Sequence, residues 1–326
     1  GAGSQRLFRR RQVAGPHAVD GRLDIAAIRS QLHLCGKQDT RAQRPGQDES
    51  VPRLQTALGQ QLSVLRQVRT VDDMKRAQRE GKLGVFHNHQ SMMPLGSDPA
   101  QVKANLQKYY DLGLRQLNFT YNIDTIYADG GVSNGDGTDQ GVTELGEEVV
   151  KEANRLGIVV DCSHSSNRTC IEAAAMTRKP MMMSHSNLMT FQPIGRNVSD
   201  QAVRAVAATG GVICVNFIGG FLNPQGLARP YDIAKHVEYI GEMVGRDKLC
   251  VGPDYVYNYA DTLLWILQNP ENFPIEMGYA TASHMGKPGE IWGVVRELQG
   301  RYGWSDDEIS GFLGGNLLRL YEANWR

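Results

Sequence analysis

Between Gly157 and Asn197 one pattern occurs twice. The apolar run Gly157–Asp161 leads to His164, and the run Pro180–Ser184 leads to His185. The segment between them, Arg168–Thr177, has the composition of a helix. Parallel strands need a crossover of roughly a dozen residues, usually a helix, so this spacing points to a parallel β/α architecture. In such proteins chemistry gathers at the carboxyl ends of the strands. One histidine at a strand end is ordinary, whereas two delivered by consecutive strands can share a metal ion.

The alternation continues from Lys82 onward. Further strands are expected at Leu83–His87, Gln116–Thr120, Gly211–Phe217 and Lys248–Gly252. Helices are expected at Val71–Glu80, Asp98–Leu112, Val142–Leu156, Asp200–Ala208, Tyr231–Val244, Asp261–Gln268, Glu290–Tyr302 and Asp306–Glu322, with Thr143 as an N-cap. Tyr127–Gly141, rich in Gly and Asp, reads as a surface loop. At least six strand–helix units follow Lys82, and Ala18–Gly21 and Gln61–Arg66 supply candidate strands before it. Eight units make an α/β fold of the (β/α)8 TIM-barrel type; a doubly wound open sheet is the alternative. No G-x-G-x-x-G follows a strand, which weakens any dinucleotide reading. The 326 residues are read as a single barrel domain. Its first 80 or so residues differ in composition, with Phe8 their only aromatic.

Lys plus Arg number 35, as do Asp plus Glu, so no global basic field argues for nucleic acid or an anionic membrane. No apolar run reaches the ~18–20 residues that span a bilayer. Leu7–Gln12 is basic but lacks a following apolar segment, so no intact signal peptide is read; the chain is expected to be soluble and its compartment is left open. The 5 cysteines are odd in number and irregularly spaced, which argues against a disulfide framework. Cys214 and Cys250 read as small core residues, and Cys162 as a candidate ligand near His164.

The expected strand ends carry His87, Asn88, His89 and Gln90, then Tyr121, His164, His185 and Asp254. Polar groups thus collect on one rim, the default active site of a barrel. Imidazoles with carboxylate and amide oxygens suit zinc, which polarises a carbonyl and acidifies water. Arg196, in the loop after His185, can clamp a carboxylate in bidentate fashion. His236 reads as a packing or surface residue, and Tyr255, Tyr257, Tyr259 and Trp265 as pocket wall or core.

From Lys82 onward these residues fall into motifs: Val160–His164, Ser184–Ser186, Arg196–Val198, Val251–Asp254 and Gly314–Arg319. In order and spacing the chain resembles the renal (membrane) dipeptidase family of amidohydrolase-like metallopeptidases. The resemblance implies a (β/α)8 barrel with a binuclear zinc site that hydrolyses dipeptides. His164 and His185 would hold one zinc, Arg196 would bind the substrate carboxylate, and Asp254 would manage the proton of the attacking water. Three positions depart from the family pattern. Arg22 stands where a histidine is normal, leaving Asp24 alone on the first strand. Gln90 replaces the glutamate that bridges two metals, and Tyr121 replaces a substrate-binding histidine. The expectation is therefore one zinc, the second site being doubtful, with His164, His185, Gln90 and Asp24 as the ligand set. His87 and His89 share the strand face opposite Gln90, so compensation by either needs a bulge. The reaction expected is metal-assisted hydrolysis of a dipeptide or related small amide bearing a free carboxylate, with a homodimer as candidate assembly. The alternative is a metal-poor relative that binds such a molecule without hydrolysing it.

Overall fold

The computed structural model describes residues 64–134, 137–279 and 283–325. The candidate strand at Ala18–Gly21 and the residues Arg22, Asp24 and Cys35 lie outside them.

The chain winds through strands that pair in parallel and in sequence order. β1 (Leu65–Gln67) pairs with β2 (Leu83–Val85). β3 (His87–His89), separated from β2 by Phe86, opens a sheet that continues through β4 (Leu114–Asn118), β5 (Val159–Asp161), β6 (Met182–Ser186), β7 (Val212–Val215) and β8 (Leu249–Val251). β2 and β3 follow one another on the path of the single strand expected there. The crossover helices are α1 (Val71–Arg79), α2 (Pro99–Leu112), α3 (Glu144–Leu156), α4 (Asn167–Met176), α5 (Asp200–Ala208) and α6 (Pro230–Val244). Sequential parallel order with a helix between neighbours is the TIM-barrel winding. Caps start the helices where the sequence suggests: Thr143 Oγ1 accepts from Gly146 N–H, and Asp98, Ser166 and Ser199 do the same for α2, α4 and α5.

Alternation along the strands divides the core. Val160, Met183, Ile213 and Val215 face outward into the layer packed against helix residues such as Leu106, Val203 and Val237. Their strand neighbours Val159, Met182, Val212, Cys214 and Cys250 face inward. There they meet Leu320, Tyr321 and Trp325 of the C-terminal helix (Asn316–Asn324) and its end. The Met181–Met183 run is buried strand, as expected.

Several expectations are corrected. The helix expected across Asp306–Glu322 is broken: Asp306–Ser310 gives way to a π-helical turn at Gly311–Gly315 before the C-terminal helix begins at Asn316. Paired glycines offer little resistance to that change of winding. The cysteines pair, Cys162 with Cys170 and Cys214 with Cys250. Irregular spacing hid this, because β7 and β8 place Cys214 and Cys250 directly opposite one another. Cys162 is therefore not a ligand candidate. The loop Tyr127–Gly141 is not simply surface: Tyr127, Ala128, Gly131 and Ser133 are buried. Tyr255 and Tyr257 are exposed, and the helix Tyr259–Leu267 that follows has no buried residue.

His236 on α6 is a buried packing residue. Its Nδ1 accepts from Leu188 N–H at 3.3 Å and its Nε2 donates to Leu222 O at 2.9 Å, a pairing that needs a neutral ring. Burial holds its pKa down to about 4. In the unfolded chain a histidine titrates near ~6.5, so acid adds a proton to the unfolded state first. The stability is fully present above that value and is lost as pH falls toward the folded value. The loss is on the order of 3 kcal/mol. The urea midpoint is expected to fall between pH 7 and pH 4, and less steeply in His236→Gln, whose amide can replace both bonds. An unchanged pH slope in that variant would refute the assignment.

Candidate active site

β5 and β6 end side by side, and their loops bring His164 and His185 together. The two Nε2 atoms are 2.7 Å apart and the ring centroids 4.8 Å apart. The scaffold beneath is the Asp161 carboxylate, fully buried. Its Oδ1 accepts from Ser163 N–H at 2.9 Å and Ser184 N–H at 3.1 Å, tying the two histidine-bearing loops to one group. Its Oδ2 accepts from Gln116 Nε2 at 2.8 Å. Ser163 Oγ in turn accepts from His185 N–H at 3.0 Å. Gly252 lets the end of β8 approach: a Cβ there would stand 2.0 Å from Ser184 O.

Each histidine has a partner for its outer nitrogen. His164 Nδ1 is 2.7 Å from Asn122 Oδ1, and His185 Nδ1 is 2.6 Å from Ser184 Oγ. Both rings are buried. Burial pushes the pKa of each downward, and the Arg196 guanidinium adds to that; Asp254 and Asp161 oppose it at His185. Both imidazoles are thus neutral near pH 7.

Arg196 lies 2% exposed beside them. Its Nη2 donates to His185 O at 2.9 Å and lies 3.3 Å from His164 Nε2. Its guanidinium sits 5.1 Å from the Phe221 ring centroid. Tyr121 stacks on the His164 ring at 4.3 Å, and burial raises its phenol pKa. Asp254 Oδ2 accepts from Asn216 Nδ2 at 3.0 Å. Asp254, His185 and Gln90 border one cavity of about 260 Å3 at the strand ends.

The backbone marks the same place independently. Among the described residues only three non-glycine residues have positive φ: Asn122 (66°), His164 (71°) and Asp254 (54°). Such conformations cost about 1–3 kcal/mol each and gather at functional sites. All three belong to this cluster.

His87 and His89 do not join it. His87 pairs with Gln67 at 3.0 Å, and His89 packs against Tyr109 on the helix side, 5.0 Å between centroids. The alternation of β3 turns Asn88 and Gln90 to the cavity and the histidines away from it. Among the described residues no group of three His, Cys, Asp or Glu side chains is arranged to hold a metal. The donor chemistry nevertheless suits a zinc ion on the imidazole side: the two rings meet at their Nε2 atoms, and each Nδ1 has a hydrogen-bond partner, as is usual for metal-bound histidine. Sequence reading missed Asn122, Ser184, Asn216 and Tyr279. Asn122 follows Tyr121 directly and Ser184 precedes His185, so adjacency to a candidate was the available signal; Tyr279 carried none.

Known proteins resemble this chain in sequence and in fold. Residues 23–263 match the family model for membrane dipeptidase, peptidase family M19. An uncharacterized dipeptidase of Schizosaccharomyces pombe is 31% identical over 222 residues, 67% of this chain and 49% of that protein. The chain therefore spans about half the length of that relative. A crystal structure of an amidohydrolase from Pseudomonas aeruginosa superposes with a TM-score of 0.74 at 22% identity, covering 85% of this chain and 84% of the other. A metallopeptidase from Rhodobacter sphaeroides, liganded with a phosphinate mimic of the dipeptide L-Ala-D-Ala, gives 0.65 at 20% identity, covering 85% and 76%. These likenesses support the barrel fold, and the family-model match across most of the sequence makes the chain a member of the membrane dipeptidase family, peptidase family M19.

Proposed function

We propose that the chain hydrolyses dipeptides, or a related small amide with a free carboxylate, at the rim formed by His164, His185, Arg196 and Asp254. The observation that carries this is Arg196, a buried guanidinium beside two neutral imidazoles, with its Nε unpartnered among the described residues. A buried charge of that kind calls for an anion. The substrate's terminal carboxylate supplies one and would fix the scissile amide over the histidine pair. The phosphinate dipeptide mimic bound by the Rhodobacter sphaeroides enzyme supports a dipeptide-sized substrate.

His164 and His185 would hold zinc, with Gln90, and Asp24 from the first strand, as further candidate donors. Zinc, when bound, would polarise the amide carbonyl and lower the pKa of water. Asp254, opposite on the same cavity, accepts the proton of the attacking water and returns it to the leaving amine. Tyr121 closes one side of the His164 ring and restricts solvent. Gln90 is neutral and does not offset the repulsion between two cations, so one zinc per chain is expected.

Metal analysis of the purified chain, run beside a panel of dipeptides, tests this. One zinc per chain with turnover is the expected result. Two would overturn the role given to Gln90. No metal and no turnover after zinc addition would favour the second reading, a binder of small carboxylates, for which the neutral Gln90 is the supporting observation.

A further inference from the structure

The segment Asn269–Tyr279, anchored by the buried Phe273 and Met277, packs against Tyr121 and Asn122, the two residues that flank the His164 ring. Phe273 packs edge-on to the Tyr121 ring, 5.8 Å between centroids, and the segment's hydrogen bonds to the site gather at Asn122. Asn122 Nδ2 lies 2.8 Å from Asn272 O, and Asn122 Oδ1 lies 2.9 Å from Tyr279 Oη and 2.7 Å from His164 Nδ1. Asn122 itself has no exposed surface and sits at φ 66°.

A backbone carbonyl can only accept, so the amide end facing Asn272 must be the NH2. The end facing His164 is then the carbonyl oxygen, which also can only accept. His164 Nδ1 must therefore carry the proton, leaving Nε2 with a free lone pair. That lone pair faces Arg196 Nη2, a group that can only donate. His185 differs. Its outer partner, Ser184 Oγ, is a hydroxyl that donates or accepts, so either tautomer is satisfied there. In the described arrangement His185 Nε2–H donates to His164 Nε2 at 2.7 Å. To turn its own lone pair toward a metal, His185 moves that proton to Nδ1 and the Ser184 hydroxyl rotates. One histidine is preset, and the other can switch.

We propose that Asn122 is a positioning residue that locks His164 as its Nδ1–H tautomer, with its amide oriented by the Asn272 carbonyl of the overlying segment. The proposal deepens the zinc-side role given to His164 and rests on that reading. Its local chemistry is tested without turnover.

The full chain, labelled with 15N-histidine, would be studied by two-bond 1H–15N correlation before and after zinc is added. His164→Gln identifies the His164 signals. The wild-type pattern is expected to show a protonated Nδ1 and an unprotonated Nε2 already before zinc. Asn122→Gly removes the side chain while tolerating φ 66°, and is expected to let the Nε2–H form appear. Asn122→Asp also tolerates this backbone and keeps an acceptor facing Nδ1 while losing the donor to Asn272 O, so the Nδ1–H pattern returns without the tie to the overlying segment. Zinc alone, titrated into each, should bind ~10–100-fold more weakly to Asn122→Gly than to the wild type, with most of the loss restored in Asn122→Asp. A wild-type Nε2–H form, or an unchanged Nδ1–H form in Asn122→Gly, would overturn the proposal. A wild type that bound no zinc would sink the metal reading above, and the tautomer pattern would still decide this one.

Discussion

Replacing Arg196 with methionine is expected to raise KM for a carboxylate-bearing dipeptide by ~100-fold or more. The effect follows from where the charge sits. Arg196 is 2% exposed, and none of the ion pairs among the described residues includes it. A hydrogen bond to a charged group is worth about 1.5–3 kcal/mol, and a guanidinium–carboxylate fork makes two. Losing both gives ~3 kcal/mol or more, which is at least about 100-fold in affinity. The fold is expected to survive, because methionine fills much of the volume and removes a buried cation whose desolvation is unfavourable. A substrate amidated at its terminal carboxyl separates charge recognition from simple packing. The wild type should lose most of its preference on that substrate, while Arg196→Met should handle acid and amide about equally. His185→Ala, by contrast, should lower kcat with a much smaller change in KM. Equal KM effects from Arg196→Ala and His185→Ala would mean that Arg196 is not the clamp.

The strand order was readable because short runs with apolar residues, too short for a helix, alternate with helical segments; β3, His87–His89, is not apolar and was read only through the run Leu83–His87 that leads into it. Helix α5 begins and ends at its expected residues, Asp200 and Ala208, because Ser199 caps it and Gly210 and Gly211 follow. Boundaries moved where packing outranks composition: β4 begins at Leu114, earlier than Gln116, because it hydrogen-bonds with β3 from there. Site residues at strand ends were legible for the same reason, since a polar side chain directly after an apolar strand leaves the core at the barrel rim. Tyr279 was not legible. It lies 157 positions from Asn122 and reaches it only because a long loop folds back over the rim. The cysteine pairs were hidden for a related reason: lateral register, absent from linear spacing, sets Cys214 against Cys250. His87 and His89 show the converse hazard. Their residue type is that of ligands, but strand alternation, already readable in the sequence, sets both rings on the face opposite Gln90 and away from the cavity.

Asp254→Asn is expected to lower kcat by ~10²–10⁴-fold, the usual worth of a positioned general base, with KM within a few-fold. The substitution isolates the proton-accepting role unusually well. Position 254 has φ 54°, which asparagine tolerates better than alanine or leucine would. Asn216 Nδ2 donates to Asp254 Oδ2 at 3.0 Å, and an asparagine carbonyl oxygen can take the same bond. The shape of the wall therefore survives, and what disappears is the negative charge and the ability to hold a proton. Loss of that charge also removes a contribution that raises the pKa of His185, so the ring becomes harder to protonate. His185 is already neutral near pH 7, so this secondary effect does not take its lone pair away. Steady-state kinetics with thermal melts on the same preparations would check the prediction. A fall in kcat below about tenfold, with the melting temperature unchanged, would remove Asp254 from proton transfer and leave it only as cavity wall. A large fall shared equally by kcat and substrate affinity would point instead to a binding role. Only a loss confined to kcat fits a carboxylate that accepts a proton as the amide is attacked.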